Sequence, residues 1–258
     1  MLLAIDIGNT QTALGLFDGD ELVHAWHMPT DRTFTSDEIH VRLQGYFRMY
    51  GMDLDCVDAL ALAGVVPQLK REWNTVSRLL AGENYVVVGP DTAHVTRVKA
   101  PNPREVGADR IANAVAARKH YGTPAIVVDF GTATNIDVVD EEGAYIGGAI
   151  APGIRISFDA LTARAAQLAS IPLDTPPHAI GVNTLEALQS GTVVGAAAMA
   201  EGMVARIKRE LGRPDAVVIA TGGLASTVAS STDVFDHIDR QLTLKGICEI
   251  YRRFEEAR

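Results

Sequence analysis

The sequence is short of the residues that mark several large protein classes. It has two cysteines in 258 residues, Cys56 and Cys248. They stand far apart and in no metal-ligand spacing such as Cys-x-x-Cys, which argues against structural zinc. Both are read as reduced core residues. Basic side chains are in the minority, 23 Lys and Arg against 32 Asp and Glu, for a net charge of −9. A broad duplex-DNA or acidic-membrane surface requires the opposite balance, so neither partner is expected, although a local phosphate site is still allowed. No run of about 18 apolar residues is present to cross a bilayer. Met1 leads into Leu2-Leu3-Ala4-Ile5 without a basic leader, and Asp6 ends that run, so a cytoplasmic location is expected.

Several catalytic signatures are missing as well. No lysine directly follows a glycine, so there is no Walker-A loop, and neither Gly-x-Gly-x-x-Gly, His-Glu-x-x-His nor Gly-x-Ser-x-Gly occurs. P-loop, dinucleotide-binding, zincin and α/β-hydrolase readings fall with them. His24, His27, His94, His120, His178 and His237 form no pair with ligand spacing, and none is given a role.

What is present is an internal repeat. With 47% hydrophobic and 21% charged residues, the chain has the profile of an ordered protein, long enough for two cores. Leu2 to Phe17 reads as strand, turn (Asp6-Ile7-Gly8-Asn9-Thr10) and strand. Ile126 to Val139 reads the same way around Asp129-Phe130-Gly131-Thr132-Ala133-Thr134. The apolar runs before each Asp lack polar alternation, as in strands buried on both faces. A single Asp-apolar-Gly turn is common chain reversal. Two, about half a chain apart, predict two related lobes, here residues 1–121 and 122–258 with the boundary at Gly122-Thr123-Pro124.

Each half follows one plan of three strands, a helix, and further strands and helices. Thr35-Ser36-Asp37-Glu38 has the capping-box form that opens a helix. Thr184 to Leu211 reads as a long helical region despite Gly191, Gly195 and Gly202, for which close helix packing is the expected reason and a helix break the alternative. A terminal helix over Leu244 to Phe254 is assigned to the second lobe.

Glycine lets backbone N–H groups approach an anion, and Asn9, Thr10, Thr132 and Thr134 add side-chain donors, so such turns can grip a polyphosphate. Asp6 and Asp129 would repel those phosphates unless a cation intervened. Mg²⁺ suits Asp6 through water, because it prefers oxygen ligands and keeps part of its hydration shell.

Together with Thr221-Gly222-Gly223, these two turns resemble the phosphate and adenosine motifs of the acetate and sugar kinase, heat-shock chaperone and actin superfamily. Within it, Asn102-Pro103-Arg104-Glu105-Val106-Gly107-Ala108-Asp109-Arg110 resembles the substrate motif of type III pantothenate kinases. Gly147 to Gly153, Gly181-Val182-Asn183-Thr184 and Leu242-Thr243-Leu244-Lys245-Gly246 agree with that family. Val182, where a lysine is expected, and Asn135, where threonine is more usual, depart from it. The resemblance implies an α/β protein of two ribonuclease-H-like, actin-like ATPase lobes with a nucleotide cleft between them, and a homodimer.

It also implies roles. Asp6, Ile7, Gly8, Asn9, Thr10, Gln11, Thr12, Ala13, Thr132, Gly222 and Gly223 would bind ATP. Asp6 would hold Mg²⁺ and Asp129 a monovalent cation, K⁺ or NH₄⁺. Gly107, Ala108, Asp109, Arg110 and Thr184 would seat pantothenate, with Asp109 the general base. Read from the residues alone, Asp109 is an acid in the first turn of a helix, which the helix dipole favours without any catalytic role. A nucleotide-binding regulator of transcription, and a sugar or acetate kinase or exopolyphosphatase-like hydrolase, are the rival readings. The intact Gly107-Ala108-Asp109-Arg110 string speaks against the first, and the short chain without large inserts against the second.

Overall fold

A computed structural model describes residues 1–64, 66–89, 92–164 and 171–258. It divides into two compact units, one of residues 1–116 with 243–258 and the other of residues 117–242. In unit 1 the strands β1 (Leu2–Ile7), β2 (Gln11–Asp18), β3 (Glu21–Pro29), β4 (Ala59–Gly64) and β5 (Tyr85–Val87) form one sheet in the order β3-β2-β1-β4-β5. Strand β1 pairs antiparallel with β2 and parallel with β4. The helices α1 (Ser36–Arg48) and α2 (Lys70–Ala81), the one-turn α3 (Ala93–Thr96) and the first part of α4 (Ala108–His120) complete this part of the chain.

Unit 2 repeats the topology. Its strands β6 (Ala125–Phe130), β7 (Ala133–Val139), β8 (Tyr145–Pro152), β9 (Val217–Thr221) and β10 (His237–Ile238) lie in the order β10-β9-β6-β7-β8. Here β6 takes the place of β1, antiparallel to β7 and parallel to β9. The helices are α5 (Ile154–Arg164), α6 (Thr184–Gln189), α7 (Gly195–Leu211) and α8 (Ala225–Ala229), and α9 (Leu242–Glu256) ends the chain. The duplicated Asp turns therefore report a duplicated sheet.

Strand alternation explains how each sheet is covered. In β1, Leu3, Ile5 and Ile7 pack against Ile39, Leu43, Phe47, Trp73 and Val76 of α1 and α2. Leu2 and Ala4 point the other way, into a second cluster with Ala59, Ala61 and Ala63 of β4 and with Ala108, Ile111, Ala112 and Val115 of α4. Period-2 alternation puts Asp6 on this second face. In unit 2, Ile126, Val128 and Phe130 of β6 pack against Ile154, Phe158, Ala197, Ala200 and Val204.

Two expectations change. Residues 243–258 belong to unit 1, because Leu244, Ile247, Cys248 and Ile250 of α9 fill that alanine-lined face of the first sheet. The helical region from Thr184 to Leu211 is continuous, but a π-helical turn over Ser190–Val194 joins α6 to α7. Among the described residues, an added Cβ at Gly191 or Gly202 would meet nothing within 4 Å. Close packing against the described residues of this chain is therefore not what Gly191 and Gly202 serve.

Both cysteines are free, Cys56 half-buried and Cys248 buried, and burial raises the Cys248 thiol to about 12. The thiolate is the reactive form, so Cys248 is chemically quiet at neutral pH. The capping box at α1 is formed. The Glu38 amide donates to Thr35 Oγ1 at 3.3 Å, and the Thr35 amide to Glu38 Oε2 at 2.9 Å. Hydrogen bonds from the Thr35 amide and hydroxyl hold the Glu38 carboxyl below its usual range, so the stability it contributes is present above the ordinary carboxylate range and lost as pH falls through the lowered value. Thr35→Ala is expected to cost about 1 kcal/mol in urea unfolding at neutral pH, with a smaller difference from the parent in acid.

Candidate active site

The unit 1 turn grows out of a central strand. Asp6 faces Ala13 across β2 and Ala63 across β4, so the backbone that carries its carboxylate is paired on both sides. The Gly8 amide donates to the Gln11 carbonyl at 3.1 Å and closes the reversal. A Cβ at Gly8 would lie 2.8 Å from that carbonyl oxygen, so the turn needs glycine there. Asn9, Thr10 and Gln11 are exposed, while Ile7 is buried and Asp6, Gly8 and Ala13 are half-buried. Thr12 is 1% exposed, its hydroxyl 2.9 Å from that of Thr30. Its side chain braces the hairpin, leaving the polar edge of the turn to Asn9, Thr10 and Gln11.

Asp109 sits in the first turn of α4. The Gly107 carbonyl accepts from the Ile111 amide at 3.1 Å, which makes Gly107 the entry to the helix. A Cβ at Gly107 would lie 2.4 Å from Asp109 Oδ1 and 3.8 Å from Arg110 Cγ, so the Asp109 carboxylate folds back over Gly107 and a side chain there would have to displace it. Ala108 anchors the helix in the cluster that includes Ala63, the β4 partner of Asp6. The start of α4 thus lies on the Asp6 face of the first sheet. Unit 1 thus carries the turn at the end of β1 and, on the Asp6 face of the same sheet, the start of α4.

In unit 2, Asp129 faces Asn135 on β7 and Thr221 on β9. Glycines surround its carboxylate. A Cβ at Gly222 would lie 2.5 Å from Asp129 Oδ1, and one at Gly131 would lie 3.3 Å from it. Gly222 also has φ +92°, a conformation that L-residues rarely adopt. Thr132 and Gly223 are exposed. Gly153, given no role in the sequence reading, is the tightest contact in this group, since its Cβ would fall 2.0 Å from the Thr132 carbonyl oxygen. The signal for it was the Gly147 to Gly153 string, whose final glycine follows the edge strand.

Thr184 is exposed at the start of α6 and belongs to unit 2, unlike Gly107 to Arg110. The loop before it is tightly built. Asn183 Oδ1 accepts from the Glu186 amide at 3.0 Å, and Glu186 accepts from Asn183 Nδ2 at 2.9 Å and from the Val182 amide at 3.2 Å. Gly181 is required, because its Cβ would fall 2.2 Å from the Ala187 nitrogen. Val182 itself is exposed.

The donors suit hard cations rather than a preformed metal cage. Among the described residues no group of three or more His, Cys, Asp or Glu comes together. A cation at Asp6 or Asp129 would take its other ligands from phosphate, backbone oxygen and water, as Mg²⁺ commonly does. The paired carboxylate backbones and open glycine positions fit that role.

The type III pantothenate kinase family model matches residues 2–206 of the chain. The chain belongs to the type III pantothenate kinase family. A member from Exiguobacterium sp. is 46% identical over 253 residues, covering 98% of this chain and 99% of that protein. One from Streptomyces griseus is 49% identical over 260 residues, covering 98% of each. Among solved structures, a protein described as a Baf family transcriptional activator from Campylobacter jejuni superposes with a TM-score of 0.62 at 18% identity, over 98% of this chain and 99% of that one. The (R)-2-hydroxyglutaryl-CoA dehydratase component A of Acidaminococcus fermentans gives 0.59 at 13% identity over 98% of each chain. At such identities these matches show the fold, which is that of the actin-like ATPases and sugar kinases.

For a kinase of this family, the glycine contacts around Asp129 lead to a paired test. Gly222→Ala should cost about 1–2 kcal/mol in denaturant unfolding, from left-handed backbone strain. Gly223→Ala, where an added Cβ meets nothing within 4 Å, should stay within about 0.5 kcal/mol of the parent. Equal losses at the two positions would reject the strained, crowded backbone at Gly222.

Proposed function

We propose that the chain transfers the γ-phosphoryl group of ATP to pantothenate, making 4′-phosphopantothenate in the first committed step towards coenzyme A. Family membership over the whole chain carries this reading, and Asp109 in the first turn of α4, over the side-chain-free Gly107, supplies its chemistry. The acceptor hydroxyl donates a hydrogen bond to the Asp109 carboxylate, which orients it and takes its proton late in the step. Early deprotonation is not needed, because phosphoryl transfer through a loose transition state rests on positioning and charge neutralisation. Gly107, Ala108 and Arg110 line the acceptor position, and Thr184 contacts the same substrate.

The unit 1 turn, Asp6 to Ala13, holds phosphate oxygens through the backbone amides of Gly8 to Gln11 and the side chains of Asn9 and Thr10. Asp6 would hold Mg²⁺, which suits an oxygen donor that leaves room for water and phosphate ligands. Asp129 would hold K⁺ or NH₄⁺, and Thr132, Gly222 and Gly223 would contact the nucleotide. Bound cations supply neutralisation of phosphate charge. Among the described residues no helix is long and apolar enough to cross a membrane, and a cytoplasmic location follows from the metabolic role. The exposed apolar side chains of unit 2 favour a homodimer, notably Ile150 (67%), Ile180 (82%) and Val182 (82%). Ile150 lies on β8, an edge strand.

A coupled ADP-release assay tests the reaction. Pantothenate-dependent turnover is expected with K⁺ present, and Asp109→Asn should lower kcat about 10²- to 10⁴-fold. ATP binding without pantothenate-dependent turnover in any salt would reject the kinase reading, whereas full kcat in Asp109→Asn would remove only the base. Asp129→Ala should lose activation by K⁺, and an unchanged K⁺ response would reject the cation role. In sedimentation, the parent should run as a dimer and Ile150→Glu as a monomer. A monomeric parent would remove the dimer.

A further inference from the structure

The string Leu242-Thr243-Leu244-Lys245-Gly246 is assigned to neither phosphate nor substrate, yet it meets the helix that carries Asp109. Thr243 Oγ1 donates to Asn113 Oδ1 at 2.8 Å, and Asn113 is 1% exposed. Asn113 stands four residues after Asp109, on the same stripe of α4 and about 6 Å further along its axis. One turn further along α9, Gly246 is packed against the α4 backbone. A Cβ there would fall 1.9 Å from the Ala112 carbonyl oxygen, 2.5 Å from its carbon and 3.0 Å from its Cα. Leu244 and Ile247 share a packed cluster with Ala108, Ile111, Ala112 and Val115 of α4.

These contacts divide the control of one helix. The alanine-lined sheet face, with Ala4, Ala59, Ala61 and Ala63, sets how closely α4 approaches, but small smooth side chains do little to stop it sliding or turning. A directional hydrogen bond from Thr243 and a backbone-to-backbone contact at Gly246 restrain both movements. The first turn of α4 inherits that restraint through a rigid helix.

We propose that Thr243 and Gly246 are positioning residues for phosphoryl transfer, acting through Asn113 and Ala112 to fix α4 so that Asp109 meets the acceptor hydroxyl. This rests on the reading of Asp109 as the base. Neither residue is among those assigned to ATP or pantothenate. Displacing a catalytic group by about 1 Å can cost ~100-fold in rate, and the loss of one restraint is expected to cost less than that.

The test compares the full-length Thr243→Val, Thr243→Ser and Asp109→Asn proteins, with Gly246→Ala as a second probe of the same contact. Thr243→Val keeps the shape of the side chain and removes the hydroxyl. Its kcat with pantothenate should fall about tenfold, while the KM for ATP stays within about twofold, because the hydrogen bond that is lost runs to α4 rather than to the phosphate turn. Thr243→Ser restores the donor and should bring kcat back to within about threefold of the parent. Folded Gly246→Ala should show the same split, and the Thr243 pair decides the question if that protein does not fold. The proposal is overturned if Thr243→Val keeps its kcat, if the KM for ATP rises in proportion to the loss, or if serine is no better than valine. Full activity in Asp109→Asn would reject the base itself, whatever the Thr243 variants do, so the two failures are distinguishable.

Discussion

Each of the two turn carboxylates hangs from a backbone held on both sides, and the arrangement of the site depends on that constraint. Asp6 is flanked by Ala13 and Ala63, and Asp129 by Asn135 and Thr221, with an antiparallel neighbour on one side and a parallel neighbour on the other. A shift of one residue would break two ladders and turn every side chain of the strand to the opposite face. The buried alternation of Leu3, Ile5 and Ile7, and of Ile126, Val128 and Phe130, opposes such a shift. Apolar burial along the strand thus determines where the charge at its end points.

Glycine appears where the carboxylates and carbonyls of these turns meet other backbone. Gly222 and Gly131 lie against Asp129, Gly153 against Thr132, and Gly107 against Asp109. At Gly222, Gly153 and Gly107 a Cβ would overlap an oxygen atom, and at Gly131 it would press against one. These oxygens are the groups suited to cations and hydroxyls, so the same absence of side chains that lets the turns fold also leaves their polar atoms approachable. Thr12 marks the limit of that logic. It belongs to the same hairpin, but the strand's alternation turns it inward onto Thr30, and its hydroxyl serves the hairpin rather than a ligand.

The duplicated sheet was legible because the Asp-apolar-Gly turns and the unbroken apolar runs before them repeat, and both are local patterns. Capping of α1 was legible for the same reason, since Thr35 and Glu38 stand three residues apart. The return of α9 to unit 1 was not, because an amphipathic helix carries no record of which sheet it covers. The deciding feature is the alanine-lined face made by Ala4, Ala59, Ala61 and Ala63, residues drawn from two distant segments. Strand β10 escaped notice because His237 and Ile238 are both exposed, and two residues give no periodicity. The π-helical turn at Ser190–Val194 was legible only as an excess of glycine, which signals that something is unusual without saying what.

The duplication also separates what the two halves can be doing. Paired hairpin, parallel neighbours and Asp-Gly turn occur in both sheets, so whatever they provide, phosphate and cation handling in our reading, is provided by inherited and repeated geometry. The start of α4 is different. It lies on a second packed face of the first sheet, completed by a helix from the other end of the chain. An acceptor base placed there can be moved, or its surroundings reshaped, without disturbing the register that fixes Asp6. In our reading, the acceptor site can therefore change with the helix laid over one alanine-lined face while the register that fixes the phosphate turn stays as it is.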